Sequence, residues 1–279
     1  MRGLWFGTQE RMTWVRPPSI DADISKGKWS AEGGFLNGGA FVRGSSTGHK
    51  RYRFTWNLAA QEDIYDILDY ADGLYGDGLI YFLEPFSAPT NCLPQFWAAP
   101  RLQNADAPPL TVNARPSLVN TAINVRGYPT KSAVYTLTAS SEFTSLWIPI
   151  PPDYTLHVGA HGSATGTAAV TVQSDSAGSP TALTLLTVNT SQLTNLSVSG
   201  ATGATISAQG EGQLTLAGLV AQVRPNDASA PTGDFISGRG HSGCRFVPSS
   251  ITVQGYSAPE ALDKVAASAL LVEVGAWEQ

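Results

Sequence analysis

From Ser132 to Val223 the chain contains no lysine and no arginine. A folded stretch of that length without cations must make its surface from Ser, Thr and Gly, which suits short β-strands whose outer faces stay polar without charge. Strands are predicted at Val134–Thr138, Tyr154–Val158, Ala169–Gln173, Leu183–Val188, Leu193–Val198 and Leu214–Val223, separated by Gly/Ser/Thr turns. Regular short strands with turn signals point to a sandwich or jelly roll. Across all 279 residues only 14% are charged, against the usual ~25%. Such a composition excludes a coiled coil and argues against a highly charged disordered chain. The 42% of apolar residues suffices for a buried core. No run approaches the ~18 apolar residues of a membrane helix. The opening residues have no apolar core of about 7–15 residues, so no secretory signal is expected. Two distant cysteines, Cys92 and Cys244, do not suggest a disulfide framework, and assembly in a reducing cytosol is expected.

The net charge of −5 hides a division. Residues 1–60 hold nine basic and four acidic groups, a net of +5, and the remainder holds eight basic and eighteen acidic groups, a net of −10. Between Glu62 and Glu84 lie seven acids and no base.

Residues 1–105 read as a first unit, a β-barrel-like one carrying a single helix. Tyr52, Phe54 and Trp56 alternate with Arg51, Arg53 and Thr55, which places three aromatics on one face of a strand and two arginines on the other. A helix is predicted over residues 60–72, where Ile64, Ile67, Leu68 and Ala71 make one apolar stripe and Glu62, Asp63, Asp66, Asp69 and Asp72 fill much of the rest. Gly33–Gly39 marks a tight turn or bulge, and Leu79–Leu83 a buried strand. Residues 106–130 are a proline-punctuated connector, and residues 131–279 a β-sandwich. Near its end a helix-like stretch, Ala258–Ala269, precedes a closing strand, Leu270–Val274.

Patterns that carry chemistry fail on context. Gly238-Arg239-Gly240-His241-Ser242-Gly243 fits a dinucleotide motif by letter, but a strand and a proline follow where a helix must start. Ser242 lacks the glycine two places on that a hydrolase elbow requires, and the pair His241 and Cys244 comes with no orienting group. His157 and His161, four apart on a strand, span about 13 Å, too far for one ion at bonds of about 2.1 Å. Lys50-Arg51-Tyr52-Arg53 mixes bases with aromatics, but alternation turns the rings inward, and the chain is acidic, so nucleic acid is not an expected partner. The arginine face fits an acidic surface such as the 62–72 helix better, within one subunit or between copies. Arg51, Arg53, Glu62, Asp66 and Asp69 are therefore candidate subunit-interface residues. Trp147 and Tyr154, among Pro149, Pro151 and Pro152, are candidate carbohydrate contacts, with core packing as the alternative.

Several segments carry a resemblance. Met1–Gly7 with Met12-Thr13-Trp14, Ser30–Gly39, Phe54-Thr55-Trp56-Asn57, Gly238–Phe246 and Leu271–Glu278 resemble the minor tail proteins of long-tailed bacteriophages infecting actinobacteria. These segments cover both ends of the chain and leave the middle less distinctive. The resemblance implies a virion component with a layout similar to distal tail proteins: a β-barrel-like unit with a helix, then a β-sandwich that projects outward. Such proteins form a homo-oligomeric ring in the tail tip, or baseplate, between the tail tube and the host-adhesion apparatus, with trimers and hexamers both occurring. The implied partners are other copies and other tail proteins (tube, tape measure, tail-tip proteins), with assembly in the bacterial cytoplasm. The expectation is a non-enzymatic structural protein without catalytic residues, cofactor, metal or membrane contact. The alternatives are a carbohydrate-binding module for the host cell-surface glycan and a tail-associated cell-wall hydrolase. Hydrolysis calls for paired carboxylates or a metal, whereas Glu142, Asp153, Asp175 and Glu211 stand without a recognisable partner motif.

Overall fold

A computed structural model describes residues 3–18, 23–27, 30–34, 40–44, 49–76, 78–99, 110, 116–120, 131–176, 178–186, 193–229, 233–247, 250–255 and 264–274. The elements are β1 (Leu4–Gly7), β2 (Met12–Val15), β3 (Asp23–Gly27), β4 (Ser30–Gly34), β5 (Ala40–Gly44), β6 (His49–Ala60), α1 (Gln61–Ala71), β7 (Tyr81–Leu83), α2 (Gln95–Ala98), β8 (Ser117–Asn120), β9 (Lys131–Leu137), β10 (Ser145–Pro149), β11 (Tyr154–Ala164), β12 (Ala169–Ser174), β13 (Thr181–Ala182), β14 (Leu196–Ser199), β15 (Gly203–Gln209), β16 (Gly212–Pro225), β17 (Cys244–Phe246), β18 (Thr252–Gly255) and β19 (Lys264–Glu273). The chain is mainly β, with several antiparallel sheets, and none of the described sheets closes into a barrel.

β6 has the expected alternation: Tyr52, Phe54 and Trp56 are buried, and Arg51 and Arg53 are exposed. At Asn57-Leu58 the register slips against β19, so both residues face out and Ala59 returns to the core. Such a bulge keeps the apolar face inward while bending the strand towards α1. Glu62 and Asp63 sit in the first turn of α1, where acids suit the helix dipole. The helix buries Ile64, Ile67 and Tyr70; Tyr70 takes the inward place expected of Leu68 and Ala71, which are half-buried. The stripe packs on Tyr52, Phe54 and Trp56 in one core with Leu4, Phe6, Phe82, Cys244 and Leu271.

The other walls of that core come from both chain ends. One sheet runs β17-β19-β6-β3, with β18 also on β19, and another runs β2-β1-β7. Ile80 and Cys244 tie the two sheets by reciprocal backbone bonds of 2.8 Å. Residues 264–273 thus pair with 49–60, and the expected segments 1–105 and 131–279 share a sheet. The helix-like reading of Ala258–Ala269 needs correction for residues 264–269, which lie in β19; residues 258–263 fall outside the described residues. Alanine is the best helix former, but here Val265, Ala267, Ala269 and Leu271 point inward alternately with half-exposed neighbours. Pairing with β6 outweighs local propensity. The turn expected over Gly33–Gly39 begins in β4, and residues 35–39 lie outside the described residues.

Between these ends lie two facing antiparallel sheets, β14-β11-β16-β9-β8 and β10-β15-β12-β13, whose Leu, Val, Ile and Ala side chains fill a second core. β16 is the spine: it pairs with β11 along its length and with β9 at one end. Residues 88–92 also run beside it, through Cys92 N–H to the Ala221 carbonyl and Val223 N–H to the Ala88 carbonyl, 2.8 Å each. The predicted strand Leu183–Val188 is not one: residues 183–185 are irregular, Leu186 makes a single bridge to His161, and 187–188 lie outside the described residues. No helix among the described residues is long and apolar enough to cross a membrane.

Candidate functional site

The candidate interface residues divide between two surfaces. Arg51 and Arg53 project from the outer face of β6, while the aromatics between them fill the core on the other side. Arg51 pairs in register with Val272 of β19, which also pairs with Arg245 of β17. Arg245 is exposed as well, so a third guanidinium joins the row. Only long-range pairing brings it there. Glu62, Asp66 and Asp69 lie on α1, which covers the inner face of the same core. Asp66 meets Arg11 at 3.5 Å, and the Asp63 carboxylate accepts the Arg16 N–H at 3.4 Å. The helix is thus served by arginines of the β1–β2 region, not by Arg51 and Arg53.

The two candidate carbohydrate contacts do not form one platform. Trp147 is buried: its ring meets Tyr81 edge-on at 4.8 Å, and its Nε1–H donates to the Asp175 carboxylate at 3.2 Å. A Cβ at Gly203 would lie 2.3 Å from the indole, so the absent side chain makes room for the ring. Tyr154 instead faces Trp14, with centroids 6.3 Å apart, and Trp14 is 37% exposed.

At Gly238–Cys244 the structure shows a buried polar junction. His241 Nδ1 accepts the Gly243 N–H and Nε2–H donates to the Phe82 carbonyl, 3.1 Å each, and the ring stacks on Phe82 at 4.0 Å. Burial, helped by the nearby Lys50 charge, lowers the His241 pKa to about 3. Cys244 Sγ lies 3.6 Å from His241 Nδ1, and burial pushes the thiol well above its ordinary value. A nucleophile needs a thiolate within reach of substrate; this is a closed thiol beside a neutral imidazole. Glu273 accepts the backbone N–H groups of Lys50 and Ser242, at 3.2 and 3.1 Å. Lys50 Nζ donates to the carbonyls of Gly240 and Arg239. Gly240 is required there, because a Cβ would lie 1.7 Å from the Cys92 carbonyl oxygen. Sequence reasoning did not single out Glu273 or Asn91. Buried Asn91 donates to the Leu219 and Ile236 carbonyls and accepts the Ala221 N–H, stapling the 88–92 segment to β16.

His157 and His161 sit on β11, and His157 Nδ1 contacts Ser197 Oγ at 2.9 Å. Burial, then the Arg224 charge, lowers the His157 pKa. No group of three metal-ligating side chains occurs among the described residues. A small cleft lined by Tyr81, Ser87, Cys92, Trp147, Gly240 and His241 has room for about one water molecule rather than a substrate. No protein family matches the chain, and no curated protein and no solved structure matches it.

Proposed function

We propose that the chain is a non-enzymatic structural subunit of a bacteriophage tail tip, a minor tail protein of the distal-tail kind. In this reading it forms a homo-oligomeric ring joining the tail tube to the host-adhesion apparatus. The observation that carries the reading is spatial. The segments that resemble tail proteins lie at opposite ends of the sequence, yet β1, β6, β17 and β19 enclose a common core. The end-built unit corresponds to the barrel-like hub part, and the middle residues to a jelly-roll-like sandwich that projects outward. The junction at His241, Cys244, Lys50 and Glu273 supports a structural role, since its polar groups are spent on backbone partners.

A second reading, a module for host cell-surface glycan, is favoured by the half-open Trp14–Tyr154 pair, because sugars stack on exposed rings. The test is location. Immunogold labelling of purified virions is expected at the tail tip, with a copy number that is a multiple of three. Absence from virions overturns the proposal, and so does lysis of host cell wall by the purified chain on a zymogram. Binding to isolated host glycan that Trp14→Ala abolishes, by a chain absent from virions, favours the second reading.

A further inference from the structure

We propose that the arginine face of β6 docks on the outward acidic stripe of α1 in a second copy of this chain, a head-to-tail contact that extends from copy to copy. The proposal rests on the structural role above, because a ring needs one surface to meet a different surface of its neighbour.

The arginine face is built by pairing. Arg245, Val272 and Arg51 lie side by side across β17, β19 and β6, and Leu270 lies beside Arg53 one step along. All three arginines are exposed, while Val272 and Leu270 are half-buried between them. Among the described residues none of the three guanidinium groups makes an ion pair or a hydrogen bond. Asp23 lies opposite Arg53 in register on β3. The face therefore offers three planar donors around an aliphatic strip, a surface suited to carboxylates and an aromatic ring.

The matching surface lies on α1. Glu62, Tyr65, Asp69 and Asp72 recur at i, i+3, i+7 and i+10, a single stripe, with Asp66 beside it. Glu62, Tyr65 and Asp72 are exposed, Tyr65 to 51%. This stripe opposes the buried face of Ile64 and Ile67. Its acids repel one another at i, i+3 and i+4 spacings. Asp69 and Asp72 also oppose the dipole at the helix C-terminus, and no basic residue occupies the last turn. Arg11 relieves Asp66 alone. Cations from outside the molecule would relieve the rest.

The two surfaces cannot meet within one molecule. α1 packs on the inner face of β6, and the aromatic core of Tyr52, Phe54 and Trp56 stands between the helix and the arginines. Each copy thus carries both halves of a complementary pair on opposite sides. A contact of that kind is heterologous: it closes into a ring if the rotation allows and grows into a filament if it does not.

Charge reversal of the full chain tests this, read by sedimentation velocity over a concentration series after thermal melts confirm that each variant is folded. The parent is expected to self-associate in a salt-sensitive way. R51E/R53E and E62K/D69K should each weaken self-association by about tenfold or more, because like charges then face each other. A mixture of the two should recover association with the copies alternating, since the arginine face of one meets the native acidic stripe of the other and the two reversed surfaces also match. The fourfold variant carrying all four changes should recover association. A parent that stays monomeric throughout, reversals without effect, a mixture that does not associate, or a fourfold variant that stays apart each overturns the contact. If the contact fails while immunogold still finds the chain at the tail tip, only this interface falls. If association behaves as expected and the chain is missing from virions, the interface stands and the tail-tip role falls.

Discussion

The unit built from the two chain ends and the two sheets of the middle residues are both antiparallel β, but they are held together differently. The core of the middle sheets is mostly aliphatic, with Trp97 and Tyr135 buried in it, and its spine, β16, directly follows β15 and pairs along its length with β11. The end-built unit has an aromatic core: Phe82 meets Tyr52 and Phe54 edge-on at 4.8 and 5.2 Å, and Tyr52 stacks on Phe54. Its central pairing joins residues about two hundred positions apart, β6 with β19. Closing so long a loop costs entropy before any contact repays it. The end-built unit therefore depends on its cluster of contacting rings and on the buried polar junction around Glu273. Charge follows the same division, with the arginine face on the end-built unit and no lysine or arginine between Ser132 and Val223 in the middle sheets.

The largest effect that would break this comparison is at Trp56. Trp56→Ala removes a buried ring and the bond from its Nε1–H to the Arg16 carbonyl at 2.8 Å. A thermal or urea melt should show a loss of about 3–5 kcal/mol, a large part of a domain's stability. If the variant melts like the parent, the aromatic core is not the anchor. Next comes Glu273→Ala, which leaves the buried N–H groups of Lys50 and Ser242 without an acceptor, each costing about 1–3 kcal/mol. The loss should appear in the end-built unit, and equal loosening of β11 and β16 by hydrogen exchange would contradict it.

Acid sharpens the contrast further. His241 is neutral in the folded chain, with its pKa lowered to about 3, against about 6.5 when unfolded. The unfolded state therefore binds the extra proton between those values. The stabilisation is complete above about pH 6.5 and is lost as pH falls towards 3, at up to about 1.4 kcal/mol per pH unit. His157 on β11, also lowered, adds a drift of the same sign. Glu84, raised by burial, works the other way around its ordinary range. Stability measured from pH 7 to pH 4 should fall, and His241→Gln should flatten the fall; a flat profile in the parent would contradict the buried neutral imidazole. The smallest expected effect is at Arg53→Ala. The side chain is exposed, so melts should shift by no more than about 0.5 kcal/mol. A collapse there would mean that the arginine side of β6 is the buried one.

What the sequence made legible was local. Period-two alternation assigned both faces of β6, and the apolar stripe located α1 to within a residue. It did not reveal that Arg245 would align with Arg51, because two separate pairings to β19 create that row. The alanines of 264–269 favour helix locally, and only pairing with the edge of β6 overrides that preference. Trp147 and Tyr154, close in sequence, suggested one surface; they turn to different partners because β10 and β11 belong to different sheets. The glycines and His241 near the end carried motif letters without a motif's context. Their role lies in close passage against Cys92 and Phe82, which only the folded chain reveals.

The claim that the two chain ends form one unit is tested most directly by native-state hydrogen exchange on the full chain, followed by mass spectrometry of peptides covering β6, β19 and β16. The account predicts that 50–56 and 265–272 open together, with one free energy that Glu273→Ala lowers in both, while 214–223 opens in a separate step. Protection of 50–56 alongside free exchange of 265–272 would contradict it, because β19 would then not be the strand that completes the sheet.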